Sequence, residues 1–129
     1  MSAQKAVYAR LLAFGGLTAL VADRIYPQVM AQGVAYPAVS FLGVSELRER
    51  AFGATPGLVR ARVQVDAWGS SNSSSAAVAA QILAALKDFK GTSNGVVVQW
   101  IFHEGTTDLF EDDIPVFRVS QDFEVIHEE

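Results

Sequence analysis

Cysteine is absent from the 129 residues, which removes disulfide staples, thiolate metal cages and thiol nucleophiles together. Histidine is scarce: His103 and His127 are the two present. Neither belongs to a nucleophile motif, G-x-S-x-G is missing, and both read as ordinary surface or half-buried side chains. The pair Gly15-Gly16 fits neither G-x-x-x-x-G-K-[ST] nor G-x-G-x-x-G, so no phosphate-cradling loop is expected. No run approaches the roughly 20 apolar residues of a membrane span, and no signal-peptide core precedes a small-residue cleavage site. A soluble chain with no membrane partner is the expectation. An excess of basic charge is lacking too, since the net charge is −4, which argues against specific nucleic-acid binding.

What is present suffices for one core. For 13.9 kDa the folded surface should be about 6,700 Å², against roughly 20,000 Å² for the extended chain. One domain spanning residues 1–129 follows, since no linker divides the chain. The charge is uneven. Residues 1–70 hold seven Lys/Arg and four acids, whereas residues 71–129 hold three and ten. Folding either averages this difference or turns it into two faces of opposite sign, which would suit heterologous contacts between subunits.

Residues 3–14 place Val7, Leu11 and Phe14 on one face of a helix, with Gln4, Lys5 and Arg10 largely turned away and Gly15-Gly16 as its end. Residues 17–23 fit a second short helical piece, with Thr18 as a possible cap and Pro27 beyond it. Residues 28–37 read as a loop and residues 38–46 as a strand. The clearest pattern is residues 58–68, where Val59, Ala61, Val63, Val65 and Ala67 alternate with Arg60, Arg62, Gln64, Asp66 and Trp68. Strict period two means one buried and one wet face, the mark of antiparallel sheet. Between these strands, residues 47–57 carry Gly53, Pro56 and Gly57 and predict a long hairpin.

The serine-rich run at 70–75 predicts a helix start, because Ser and Asn side chains satisfy first-turn N–H groups. Ala79, Leu83 and Leu86, flanked by Ile82, form its apolar stripe, and its many alanines make it slim enough to lie close on a sheet. Residues 96–103 and 115–126 predict two more strands, joined by an acidic segment at 104–113. The resulting class is α+β: an antiparallel sheet of about four strands with a long hairpin, packed against two main helices on one face. Val7, Leu11, Val63, Val65, Ile82, Leu83, Leu86, Phe117, Val119 and Phe123 form the expected core.

Nothing here makes a catalytic constellation. Glu104, Asp108, Glu111, Asp112 and Asp113 do not follow the D-x-D-x-D-G spacing of a calcium loop, which leaves a solvated connection or a weak divalent site. Asp66 has no carboxylate neighbour on its strand for acid–base work. No catalytic, cofactor-binding or metal residue is assigned, and no cofactor is expected.

Four segments carry a resemblance over nearly the whole chain. Leu17-Thr18-Ala19-Leu20-Val21-Ala22-Asp23-Arg24-Ile25-Tyr26-Pro27 looks like the "ALV-DRIYP" signature of phage tail completion proteins of the head-to-tail joining type. Tyr36-Pro37-Ala38-Val39-Ser40-Phe41 is similar to that family's Pro-led first strand. Arg62-Val63-Gln64-Val65-Asp66-Ala67-Trp68 resembles its central "VQVDVW" strand, followed by a Ser-led, Ala-rich helix. Asp108-Leu109-Phe110-Glu111 and Phe117-Arg118-Val119-Ser120-Gln121-Asp122-Phe123 resemble its closing acidic turn and last strand. The resemblance implies a non-enzymatic subunit of a homo-oligomeric ring, hexameric in expectation, that caps the tail tube and joins tail to head. Its partners would be further copies of itself, the tail tube protein and head-connector proteins. Its place would be the virion, after assembly in the host bacterial cytoplasm. Another neck or head–tail connector protein, or a non-catalytic ligand-binding module using the sheet face of Trp68, is the alternative. Arg48, Glu49, Arg50 and Phe52 on the hairpin, with Asp112 and Asp113 on the acidic segment, are the expected subunit contacts. Arg and aromatic side chains are enriched at such contacts.

Overall fold

In chain order the protein forms α1 (Ser2–Ala13), α2 (Gly15–Val21), β1 (Ile25–Pro27), β2 (Ala38–Glu49), β3 (Leu58–Gly69), α3 (Asn72–Leu86), β4 (Gly91–Ser93), β5 (Val96–Glu111) and β6 (Val116–Glu128). The computed structural model describes residues 2–27, 35–49, 57–111 and 116–128, with the backbone alone for Glu49 and Glu111. The α+β class holds. Among the described residues the sheet has six strands rather than about four, in the order β1-β2-β3-β6-β5-β4. Four are long, and β1 and β4 are three-residue additions at the two sides. β1 runs parallel to β2 and the other neighbours are antiparallel.

The period-two pattern at 58–68 becomes β3, next to the middle of the sheet. Val59, Ala61, Val63, Val65 and Ala67 are all buried, and Val63 and Val65 lie opposite Phe123 and Gln121 of β6. Fully burying a Val side chain contributes about 1.5–3 kcal/mol relative to leaving it exposed. The buried face is covered by the helices, through Ala3, Ala6, Val7 and Leu11 of α1, Leu17 and Val21 of α2, and Val78, Ala79, Ile82, Ala85 and Leu86 of α3. The whole chain exposes 7,051 Å², slightly above the expected value.

Among the described residues the two expected main helices, α1 and α3, cover the sheet together with α2, the expected short helical piece, which starts earlier than residue 17. Gly15 and Gly16 do not close α1 but open α2, after Phe14 turns the chain with an extended backbone (φ −88°, ψ 105°). Thr18 lies inside α2, its hydroxyl near the Phe14 and Gly15 carbonyls, and so is not a cap. At Gly16 a Cβ would meet the far end of the Gln81 side chain of α3. Arg10 also departs from expectation. Instead of facing water, its Nε donates to the Ala85 carbonyl at 2.8 Å and its guanidinium lies over the Phe89 and Phe14 rings, 4.6 and 5.4 Å from the centroids.

The serine run does start α3. The Ser71 hydroxyl accepts from the Ser74 backbone N–H at 3.1 Å, as an N-cap should. The buried stripe of α3 is Ser75, Val78, Ala79, Ile82, Ala85 and Leu86, rotated from the expected Ala79, Leu83, Leu86 line. Leu83 is only partly buried at its margin.

The strands outrun their expected limits. Leu47, Arg48 and Glu49 belong to β2 and pair with Arg60, Val59 and Leu58, so the hairpin is real but its turn starts later than 47. Residues 104–111 of the expected acidic connection are strand too, continuing β5 opposite β6. Phe117 is half-buried rather than central, packed on Phe110 with ring centroids 4.8 Å apart. β4 comes from a signal that the periodicity reading passed over. Ser93 pairs with Val96 around Asn94-Gly95, both with positive φ (49° and 77°), which is the two-residue hairpin turn that Asn-Gly favours. The Ser93 hydroxyl then donates to the Ala6 carbonyl at 2.8 Å, tying β4 to α1.

Candidate functional site

The face of the sheet turned away from the helices is built as rows of cross-strand neighbours. Ala38, Trp68, Arg118 and Leu109 form one row; Ser40, Asp66, Ser120 and Thr107 the next; then Leu42, Gln64, Asp122 and Gly105; then Ser45, Arg62, Glu124 and Phe102; and finally Leu47, Arg60, Ile126 and Trp100. The middle of this surface is polar. The outer strands carry exposed Leu42 and Leu47 on one side and Trp100, Phe102 and Leu109 on the other.

At its centre Asp66 is only 5% exposed, although it lies on the nominally wet face. Its carboxylate takes the Arg118 guanidinium at 3.1 Å and the Gln64 amide at 3.2 Å. Arg118 also lies over the Trp68 ring, 5.0 Å from its centroid, and the Trp68 indole N–H donates to the Ser40 hydroxyl at 2.9 Å. A carboxylate so enclosed is stable only when paired and hydrogen-bonded. The sequence shows Asp66 alone on its strand. Its partner is found only by pairing β3 with β6, which places Arg118 one row from Asp66. A second pair, Arg60 with Glu124 at 2.9 Å, joins the same two strands nearer the β2–β3 turn.

The histidines sit apart from this cluster. His103 Nε2 meets the Thr106 hydroxyl at 2.8 Å and its ring packs on Phe123. His127 is buried, with Nδ1 2.8 Å from the Glu128 carbonyl oxygen, so that nitrogen carries the donated proton. Ser71 caps α3 and Ser40 accepts from an indole; both hydroxyls have structural work, and neither lies in a nucleophile–base pair given by these contacts. Among the described residues, no group of three or more His, Asp or Glu could hold a metal ion, and no helix is long and apolar enough to cross a membrane.

Of the expected contact residues, Arg48 is on β2, exposed, with its guanidinium 3.3 Å from the Glu46 carboxylate. Glu49 ends the same strand. Arg50, Phe52, Asp112 and Asp113 lie outside the described residues. The segments that carried the resemblance converge. Ser40, Asp66 with Trp68, and Arg118 come from three of them and form the one cluster just described. In the earliest segment Leu17, Val21 and Ile25 enter the core. Arg24 there binds the Pro37 carbonyl through Nε at 2.9 Å, and its own carbonyl accepts from Val39.

Residues 5–128 match the family model of tail completion protein gp17. The chain belongs to that family. Tail completion proteins are structural rather than catalytic, so this one has a structural role in the phage tail. Among solved structures, a chain of the virion of a native gene transfer agent particle shares the fold. Its TM-score is 0.78 at 20% sequence identity, over 98% of this chain and 94% of that one. No curated protein matches the chain. In this tail completion protein, the polar cluster ties β2, β3 and β6 together on the sheet face away from the helices.

Proposed function

We propose that the protein is a subunit of a homo-oligomeric ring, hexameric in our reading, that closes the end of the tail tube and joins it to the head. The family match over residues 5–128 carries this reading. The fold shared with a chain of a gene transfer agent virion supports a place in the assembled particle, built up in the bacterial cytoplasm. Partners are then further copies of the chain, the tail tube protein and head-connector proteins, with no cofactor and no reaction. Arg48 and Glu49 at the end of β2, Arg50 and Phe52 between β2 and β3, and Asp112 and Asp113 between β5 and β6 are the side chains proposed to meet across subunits, opposite charges providing register.

The test is to polymerise tail tubes without this protein, add it purified, and image the products. Tubes of fixed length bearing a ring at one end, competent to join heads, are the expected result. Tubes that elongate and join heads equally well without the protein would refute the reading.

A further inference from the structure

Two strand edges stand out, and they lie diagonally across the sheet. β1 covers β2 only at Val39, Ser40 and Phe41, and β4 covers β5 only at Val96, Val97 and Val98. Among the described residues, the edges at 42–49 of β2 and 99–111 of β5 have no strand beside them. Each is a row of backbone donors and acceptors, a ready template for another strand. Proteins that stay monomeric blunt such edges with Pro or Lys, and neither residue occurs in either stretch. The bulges at Gly43/Ser45, Val98/Trp100 and His103/Gly105 bend the edges but leave most of their length.

We propose that the β5 edge, residues 99–111, adds as an antiparallel strand to the β2 edge, residues 42–49, of a second copy of this chain. The proposal rests on the ring reading and names the contact that closes it.

The occupant follows from the edges themselves. β2 and β5 run in opposite directions across the sheet, so copies related by rotation about a ring axis present them antiparallel. Both edges carry apolar side chains in water. Leu47 is 65% and Val44 51% exposed on β2, and Phe110 is 51% and Phe102 44% exposed on β5. Residues 99–111 hold Glu104, Asp108 and Glu111 and no Lys or Arg, while residues 42–49 hold Arg48 together with Glu46 and Glu49, so Arg48 is the one side chain of the β2 edge opposite in sign to them.

The geometry allows closure. The middle of the β5 edge lies level, through Asp122, with Gln64, and the middle of the β2 edge is level with Arg62 and Ala61. That offset is about 2.5 residues, or about 8 Å, across four strands about 4.8 Å apart. Repeated in every subunit, it tilts the strands by roughly 23°, and the longer β5 edge has room to slide toward the 35–45° of closed barrels.

Because the chain has no cysteine, any disulfide must join introduced thiols. Leu47→Cys would be mixed separately with Gly105→Cys, Thr107→Cys and Leu109→Cys, all on the same sheet face, then assembled and oxidised. Facing strands bring Cα atoms within disulfide reach. Thr106→Pro and Thr107→Pro would be compared in parallel, because successive N–H groups on an edge strand point to opposite sides. We expect a reducible heterodimer in at least one mixture and none with Leu47→Cys alone. We also expect one of the two proline variants to melt near the parent's temperature yet remain a monomer. Oligomers that form without any of the three cross-links, and survive in every proline variant that folds, would overturn the strand pairing while leaving the ring reading intact. A parent chain that stays monomeric at all concentrations would overturn both.

Discussion

Asp66 and Arg118 make the sharpest residue-scale statement, because one enclosed ion pair ties β3 to β6 and braces Trp68 and Ser40. Removing one member of a buried pair leaves an uncompensated charge and costs about 3–5 kcal/mol. Arg118 keeps some contact with water, so Asp66→Ala should cost about 2–3 kcal/mol by denaturant unfolding. The exposed Arg60–Glu124 pair is of the kind worth about 0–1 kcal/mol, and Arg60→Ala should fall in that range. Equal losses for the two variants would show that the Asp66 cluster is as wet as its neighbour. Two glycines give a second contrast. A Cβ at Gly69 would stand 2.6 Å from the Ser75 backbone nitrogen, so backbone must move and Gly69→Ala should cost about 1–3 kcal/mol. A Cβ at Gly16 meets the far end of the Gln81 side chain, which can swing aside. Alanine is also the better helix former by about 1 kcal/mol, so Gly16→Ala should change stability by less than about 1 kcal/mol.

At the scale of elements, α3 tests the assignment of faces. Ile82 is fully buried and Leu83 only partly so. Ile82→Ala should therefore cost about 2–5 kcal/mol, and Leu83→Ala distinctly less. Ser71→Ala removes the cap hydroxyl and should cost about 1 kcal/mol. A larger loss at Leu83 than at Ile82 would put the helix on the sheet by the other face. Most elements were legible in the sequence because their pattern is strong: the alternation of β3 and the Ser-led start of α3 each follow from one local rule. What escaped depended on tertiary context. Leu83 and Ile82 are equally apolar, and only the shape of the sheet chooses between them. Glu104 and Asp108 read as loop because acids are rare in strands, yet β6 supplies the pairing that keeps them extended. Arg10 read as a solvated charge, and only the fold sets the Ala85 carbonyl and two rings around it. The Asp66–Arg118 cluster was beyond a linear reading, since its members lie on different strands and meet only through register.

For the whole molecule, the helices shield one face of the sheet, and the opposite face and two diagonal edges remain for partners. The family supplies the setting in the tail, and in the proposed ring copies join along the stretches of β2 and β5 that have no strand beside them among the described residues. An added strand would extend the sheet from subunit to subunit and bring together the outlying apolar residues, Leu47 on one copy and Phe102 or Leu109 on the next. Native mass spectrometry of the purified chain over a range of concentrations tests this most directly. One closed species at six times 13.9 kDa, replacing monomer without an open-ended ladder, is the predicted result. A spectrum of monomer alone, or a ladder that lengthens with concentration and never closes, would contradict it.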